Sequence, residues 1–249
     1  MAQQFLFYIL ILSVFSSIFG ELNPLPDYIK VCRKSDLNFD KCFVNAIEIL
    51  RPKIAKGMPE LNIPPLEPLD LGDLVISKKQ DTGIDISVKN LRVYNATTFK
   101  ITNFKSENFV GHLTAELLLP RFEIEGFYSV EGRLLALPLK GSGDFHGSFS
   151  NIRAKVKFDV GRIEKNGVEY FKLSQINIKA KMGKGRIKLN NLFDGNKELS
   201  NVINDSINDN IIAIANDILP SIEKALEKKF SEIGKKVFEI FTANQLLPN

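Results

Sequence analysis

The sequence predicts an α+β fold in which a strongly curved antiparallel β-sheet wraps around a long C-terminal α-helix. Two patterns carry this prediction. Apolar side chains recur at every second position between Leu74 and Leu189, and at every third or fourth position from about Lys197 to Phe241. A period of two is typical of strands that bury one face, and a period near 3.6 is typical of a helix that buries one stripe. Successive strands with short turns indicate antiparallel pairing.

The composition is that of an ordinary globular protein. The chain has 249 residues, of which 44% are hydrophobic and 25% are charged, so it can bury a sizeable core. The net charge of +4 arises from 33 basic and 29 acidic residues, without a run of five or six like charges. Nucleic acid is not an expected partner, because its binding needs a basic stripe with interleaved aromatic side chains. We interpret the charges as a solvated surface.

The first twenty residues predict a secretory signal peptide. They carry no charge, contain an apolar stretch from Phe5 to about Val14, and end in small residues and Gly20. A retained membrane anchor is the competing interpretation, because a basic residue is missing from the start of the segment. The stretch is shorter than the roughly 20 residues of a spanning helix. We therefore expect residues 1–20 to be removed and residues 21–249 to form one secreted, soluble domain without stable membrane insertion.

Two cysteines and two sequons are informative once secretion is expected. Cys32 and Cys42 can close a small covalent loop in an oxidising compartment, which would stabilise the N-terminal segment by roughly 2–4 kcal/mol. Two free thiols are the alternative. The sequons Asn-Ala-Thr and Asn-Asp-Ser make Asn95 and Asn204 candidate glycosylation sites. Asn95 is the better candidate because it lies in a polar turn.

The first helix is predicted within residues 40–56. Asp40 can cap its start, Pro52 should kink or split it, and the prolines from Pro59 to Pro68 predict an extended connector after it. The apolar face of this helix is expected at spacings of four, three and four residues: Phe43, Ile47, Leu50 and Ile54.

The strands follow the connector. Their alternation is clearest at residues 152–160, where apolar positions alternate with charged ones, and Asn166-Gly167 is typical of a tight hairpin turn. Glycines between Gly126 and Gly147 favour bulges and strong coiling over a flat sheet. We expect the sheet to curl around another element.

The last helix supplies that element. Apolar residues from Leu199 to Phe241 form a nearly continuous stripe with steps averaging about 3.7, unlike the 3.5 of a coiled coil. A coiled-coil dimer is therefore a weak alternative to a monomer. An unbroken helix would run roughly 65 Å, although Pro220 should kink or divide it. Such a helix must be cradled lengthwise by the sheet.

No sequence motif supports catalysis, a metal site or a cofactor. His112 and His146 do not share a metal-binding spacing, and nucleophile-elbow, phosphate-loop and dinucleotide motifs are missing. Ser142, Asp144 and His146 lie close together in sequence, which leaves a hydrolase as a minor alternative. We expect a protein that is not an enzyme and needs no cofactor or metal.

Several long segments carry a pattern that is specific as a whole. They are residues 25–32 (LPDYIKVC), Cys42, residues 50–53 (LRPK), 57–66 (GMPELNIPPL), 132–145 (GRLLALPLKGSGDF), 164–170 (EKNGVEY) and 188–197 (KLNNLFDGNK). In this order and spacing the chain resembles the insect takeout and juvenile hormone-binding family, within the superfamily of lipid-binding tubular folds. The resemblance spans essentially all of residues 21–249.

The resemblance implies that sheet and helix enclose an elongated hydrophobic tunnel, and that Cys32 and Cys42 form a disulfide. It also implies a secreted carrier, in haemolymph or another extracellular fluid, for a small hydrophobic ligand such as a juvenile-hormone-like terpenoid or a fatty acid. The alternative is a secreted interaction or signalling protein that acts through its outer surface in circadian, feeding or chemosensory physiology. Candidate tunnel-lining residues lie on the first helix, the sheet and the last helix: Phe43, Ile47, Val156, Phe158, Ile214, Ile218 and Ile222.

One departure from the family pattern concerns the last helix. Family members often carry a tryptophan after an Asn-x-Asn stretch, whereas Asn208-Asp-Asn210 is followed here by Ile211, and the chain has no tryptophan. We expect the local pocket shape, and hence the ligand preference, to differ at this point.

Overall fold

The computed structural model describes residues 23–77, 84–106, 111–134 and 137–249, so the predicted signal peptide lies outside the described residues. Short 3-10 turns occur at Pro59–Leu61, Ala96–Thr98 and Phe193–Gly195. The helices and strands follow one another as α1 (Phe39–Lys56), β1 (Leu69–Ser77), β2 (Ile84–Tyr94), β3 (Lys100–Ser106), β4 (Gly111–Leu134), β5 (Leu137–Lys165), β6 (Val168–Lys181), β7 (Lys184–Leu189), α2 (Lys197–Asp209), α3 (Ile211–Ile240) and α4 (Ala243–Leu246).

The strands form one curled antiparallel sheet, as predicted. Its order is β1-β2-β4-β5-β6, with β3 beside β4 and β7 beside β5. β4 pairs along its whole length with β5 in a single register. β6 and β7 follow each other along the other side of β5. The α+β class, with a curled sheet followed by a long C-terminal helix, is therefore confirmed.

The predicted hairpin turn joins β5 to β6. Asn166 has a φ of 52° and Gly167 a φ of 76°, and two successive residues with positive φ make the turn whose twist matches that of the paired strands. The pair Lys165–Val168 closes the ladder directly beside it.

A reversal of the pleat near Asn151 was not predicted. The buried positions of β5 are odd-numbered up to Phe149 and even-numbered from Ile152 onward. Asn151, between them, has a φ of 56°, a left-handed conformation that bends the strand and changes the side to which the following side chains point. β4 changes from odd to even buried positions along the same stretch of the hairpin. The two strands thus keep the same sheet face inward on both sides of the bend.

The expected split of α1 at Pro52 does not occur. α1 runs unbroken through Pro52. Proline cannot donate to the carbonyl four residues earlier, but that carbonyl belongs to Glu48, an exposed residue, so water can satisfy it. Asn38 occupies the position before the helix, and Asp40 lies in its first turn without acting as the cap.

The last helix is divided, but at Asn210 and not at Pro220. Asn210 separates α2 from α3 with φ −110° and ψ 14°, and its Nδ2 donates to the Ser206 carbonyl at 2.9 Å. An asparagine that bonds nearby backbone competes with the helical pattern. Pro220 lies inside α3, where the carbonyl that it leaves unpaired is that of Asn216, an exposed residue.

α3 lies across the open side of the curled sheet and contacts both of its edges. Ser221 Oγ donates to the Ile76 carbonyl of β1 at 3.2 Å. On the opposite edge, Glu227 Oε1 accepts the backbone N–H of Ile178 in β6 at 2.8 Å. The helix therefore closes the gap that the sheet leaves between β1 and β6.

α2 extends this closure along β7 through two asparagines one helical turn apart. The Oδ1 atoms of Asn208 and Asn204 accept the backbone N–H groups of Ile187 and Leu189, each at 2.8 Å. Their Nδ2 atoms donate to the carbonyls of the same two residues, at 2.9 and 3.0 Å. The side chains thus replace the hydrogen bonds of a missing neighbouring strand, which leaves this part of the edge unavailable to another chain.

Candidate ligand-binding interior

Two large apolar clusters lie between the concave face of the sheet and the helices that pack on it. The α1-end cluster is packed against α1, α4 and the second half of α3, and includes Phe104, Leu113, Val156, Phe171, Ile176, Phe230 and Phe238. The hairpin-end cluster is packed against α2 and the first half of α3, and includes Leu91, Tyr128, Phe145, Phe149, Ile203, Ile207 and Ile211. Apolar side chains therefore line the interior at both ends.

Three of the predicted lining residues belong to the α1-end cluster. The Phe43 ring stacks on Phe104, with centroids 4.5 Å apart and planes 13° apart, so α1 is held against β3 by an aromatic pair. Val156 is 8% exposed, and the half-buried Phe158 packs against the same cluster. These side chains surround one end of α3.

Two more predicted residues, Ile214 and Ile222, are partly buried against the hairpin-end cluster. Ile47 and Ile218 are half-buried. The five residues that pack in a cluster are therefore divided between the two ends of the interior, and α3 runs from one end to the other.

Aromatic residues that were not predicted from the sequence complete the α1 end. Phe171 of β6 and Phe238 of α3 lie with ring centroids 5.7 Å apart, and Phe171 is 2% exposed. The alternation of β6 contained a signal for Phe171, since Leu173 two positions later is also buried. Phe238 lies beside the predicted helical stripe and had no such signal.

Tyr128 brings a polar group to the hairpin end. Its ring is 5% exposed, and its hydroxyl donates to the Asn190 carbonyl at 2.6 Å. Burial, and to a lesser extent the negative charge of Asp144, raises the pKa of Tyr128 to about 12. The hydroxyl therefore stays protonated at physiological pH, and a lone pair remains for a second hydrogen bond.

The interior is bounded beside β6 by a buried carboxylate. Glu223 is 5% exposed; its Oε1 accepts the backbone N–H of Ala180, and its Oε2 accepts from Lys179 Nζ, both at 2.8 Å. This hydrogen bond and the charge of Glu223 raise the pKa of Lys179. Glu223 and Glu227 thus connect α3 to β6 one helical turn apart.

The Cys32–Cys42 disulfide is present and lies at the α1 end. It joins the N-terminal segment to the first turn of α1, with the two Cα atoms 6.0 Å apart. Within the loop that it closes, the Lys34 N–H donates to the Pro248 carbonyl at 2.9 Å. The same loop therefore holds the last residues of the chain against this end of the fold.

The two candidate glycosylation sites have different surroundings. Asn95 is exposed, and its φ of 61° places it in a left-handed turn. Asn204 is half-buried, and its Nδ2 donates both to Leu189 O at 3.0 Å and to Ser200 O at 2.9 Å. The nitrogen that would carry a glycan is thus engaged at Asn204 and accessible at Asn95.

The residues of the hydrolase alternative lie on the outer face of the sheet. Asp144 Oδ2 accepts from Asn190 Nδ2 at 2.6 Å, and His146 Nε2 lies 3.6 Å from Glu123. Among the described residues, Ser142, Asp144 and His146 make no hydrogen bond with one another, although the last two border a shallow outer depression. A triad requires hydrogen bonds from nucleophile to base and from base to carboxylate.

In residues 23–77, 84–106, 111–134 and 137–249, no group of three or more His, Cys, Asp or Glu side chains is arranged to hold a metal ion. No helix in the same ranges is long and apolar enough to cross a membrane.

Comparison with known proteins gives concordant matches. The family model for haemolymph juvenile hormone binding protein (JHBP) matches residues 8–248. The circadian clock-controlled protein daywake of Drosophila melanogaster is 26% identical over 246 residues, 95% of this chain and 94% of that protein. Its counterpart in Drosophila yakuba is 27% identical over 219 residues, 84% of this chain and 82% of that protein. The crystal structure of Epiphyas postvittana Takeout 1 has a TM-score of 0.79 at 21% identity, covering 89% of this chain and 100% of the other, a likeness of fold.

Proposed function

The chain belongs to the haemolymph juvenile hormone binding protein family, and from that premise we propose that it is a secreted, non-enzymatic carrier of a small hydrophobic ligand held in an internal apolar tunnel. The observation that carries the proposal is the apolar lining at both ends of α3. Apolar surfaces on the sheet and on a long helix favour a ligand that is itself elongated and apolar, such as a terpenoid or a fatty acyl chain.

The energetics of such carriage are favourable without any chemistry by the protein. Burial of about 400 Å² of ligand apolar surface, at about 25 cal/mol per Å², contributes roughly 10 kcal/mol. Association costs of several kcal/mol leave micromolar or tighter binding. Tyr128 is the candidate polar contact, because its buried hydroxyl can accept a hydrogen bond while donating to Asn190.

The first test is extraction of the native protein. Protein purified from its secreting tissue is denatured in organic solvent, and the released molecules are identified by mass spectrometry. We expect a stoichiometric terpenoid or fatty acyl compound. If the extract contains no lipid, and neither a fluorescent polyene fatty acid nor a farnesyl ester binds to the purified protein, the carrier function is refuted.

The second test locates the ligand with matched substitutions. Val156→Trp places a bulky side chain at the α1 end, whereas Val75→Trp makes the same change at a residue that is 61% exposed. We expect the first variant to weaken binding of the polyene fatty acid at least tenfold and the second to leave it unchanged. Ile218→Trp, at a half-buried site, provides a second blocking variant if Val156→Trp does not fold. Because the chain has no other tryptophan, the emission of the new indole reports whether it is buried.

The alternative function is a secreted signalling protein that acts through its outer surface. The names of the daywake relatives, which are circadian clock-controlled proteins, favour a role in daily rhythm. Under this alternative, wild-type and Val156→Trp proteins would act equally well in a physiological assay, whereas a carrier would lose function with its ligand. We further propose that the protein circulates as a monomer, which sedimentation of the purified protein tests.

A further inference from the structure

A dense group of basic side chains covers the outer face of β5, β6 and β7. β5 contributes three exposed cations at alternate positions, and the neighbouring edge strands contribute five more within ten residues. We call this group the basic ladder: Arg153, Lys155, Lys157, Lys179, Lys181, Lys184, Arg186 and Lys188. Alternate residues of a strand lie about 6.8 Å apart on one face, so the eight cations form a two-dimensional array.

The register of the sheet brings like charges directly opposite one another. Arg153 pairs with Lys181, and Lys155 pairs with Lys179. Side chains opposite each other on neighbouring strands have Cβ atoms about 5 Å apart, and like charges at that distance destabilise a sheet. The same register buries Val156 on the inner face, so a one-residue slip that separated the cations would also turn the apolar side chains outward. The repulsion is therefore built into the fold.

Few carboxylates offset this charge. Glu116 lies 3.8 Å from Lys155, and Glu223 lies 2.8 Å from Lys179. Among the described residues, Arg153, Lys157 and Lys181 make no ion pair. These three side chains are exposed, and together they form a cationic area that no carboxylate of the described residues neutralises by an ion pair.

We propose that the basic ladder docks the protein on a membrane that carries anionic phospholipids. Charge complementarity is the basis of the proposal: a two-dimensional array of cations matches a planar anionic surface, whereas a linear polyanion needs only a single row. Six of the eight side chains are lysines, whose flexible stems and compact charges suit diffuse attraction to headgroups better than a fixed bidentate contact. The choice of a membrane over a soluble polyanion rests on the proposed carriage, since a carrier of hydrophobic ligands exchanges them with lipid.

Docking of this kind is superficial and sensitive to salt. The large exposed hydrophobic residues of the described chain, among them Val75 and Phe127, lie outside the basic ladder, so no apolar side chain there is available for insertion. Attraction to headgroups falls away within a Debye length, which shortens from about 10 Å at 0.1 M salt to about 3 Å at 1 M. We expect binding at the first concentration and release at the second.

The test is sedimentation of the purified full-length protein with vesicles. One set of vesicles contains phosphatidylcholine alone, and the other contains phosphatidylcholine mixed with phosphatidylserine. We expect binding only to the second set. The triple variant Arg153→Gln, Lys157→Gln, Lys181→Gln should lower the partition coefficient by about fivefold for each cation removed, or about a hundredfold in total.

A matched variant controls for net charge. Lys224→Gln, Lys228→Gln, Lys235→Gln removes three exposed cations from α3 and should retain wild-type vesicle binding within a few fold. The proposal is overturned if wild type does not distinguish the two vesicle types, or if both triple variants lose binding equally. It is also overturned if wild type binds heparin but not the anionic vesicles, because the face would then serve a soluble polyanion.

Ligand binding is measured separately on the same proteins. The basic ladder variant should bind the polyene fatty acid as wild type does, since its substitutions lie on the outer face. Vesicle binding without any ligand binding would refute the carrier function and leave the docking surface standing. Ligand binding without vesicle binding would refute the docking surface and leave the carrier function standing.

Discussion

Removal of the Glu223 carboxylate is expected to destabilise the contact between α3 and β6. In Glu223→Ala, the backbone N–H of Ala180 loses its partner at a site where Glu223 is only 5% exposed. A hydrogen bond to a charged group contributes about 1.5–3 kcal/mol, and an unsatisfied buried donor costs about 1–3 kcal/mol. The Lys179 partner is 68% exposed, so the ion pair adds little beyond this. We expect a loss of about 2–3 kcal/mol in the free energy of unfolding.

Urea denaturation followed by circular dichroism measures this loss. For a domain of this size, it corresponds to a decrease of about 4–12 °C in Tm. Glu232→Ala, at an exposed position of the same helix, is the matched control and should change the free energy by less than about 0.5 kcal/mol. Lys179→Ala should destabilise the fold far less than Glu223→Ala, because the Lys179 side chain is 68% exposed. If Glu223→Ala is no more destabilising than Glu232→Ala, the carboxylate does not hold the helix to the sheet edge.

Two further predictions concern modification and ionisation. Expressed through a secretory pathway, the protein should carry a glycan at Asn95 and none at Asn204, because the Asn204 nitrogen already donates to Leu189 O and Ser200 O. Asn95→Gln should then abolish the mobility shift produced by a glycosidase, and Asn204→Gln should leave it intact; the opposite pattern would contradict the packing of α2 on β7. Tyr128 has a folded-state pKa of about 12, above its ordinary 10.0, so its contribution to stability is fully present below pH 10 and is lost as pH rises towards 12. The ultraviolet phenolate titration of wild type minus that of Tyr128→Phe should show a midpoint near 12, and a midpoint near 10 would mean that the hydroxyl is solvated.

The spacing of apolar residues was sufficient to predict the strands and helices, because that spacing follows directly from which face of a strand or helix is buried. It was not sufficient to predict where the last helix is divided. Proline was expected to kink or divide both helices, yet neither helix is divided at Pro52 or Pro220. The carbonyls that these prolines leave unpaired lie on solvent-exposed turns, where water can satisfy them. The break occurs at Asn210, whose side chain bonds the backbone. The position of the break depends on tertiary packing, which cannot be read from the helix propensity of single residues.

The basic ladder is a second feature that local sequence patterns did not predict. No run of like charges occurs along the chain, and Lys155 and Lys157 of β5 stand singly between apolar residues. Alternation places them on one face, and the pairing of Arg153 with Lys181 adds a second row. Neighbours along the sequence do not show this second row. Neighbours across strands are set by register, and register is fixed by long-range pairing.

The distribution of the lining residues has a related cause, because periodicity assigns a side chain to a face but not to a height along the helix. Val156 pairs with Ile178, whose N–H bonds Glu227, so Val156 lies at the level of Glu227 on α3. At 1.5 Å per residue, Ile222 is about 7.5 Å below that level and Ile214 about 20 Å below it. A ligand that contacts both Val156 and Ile214 must therefore extend about 20 Å along α3. A compact ligand can occupy only one end, so the length dependence of binding for a series of fatty acids distinguishes one shared tunnel from two separate pockets.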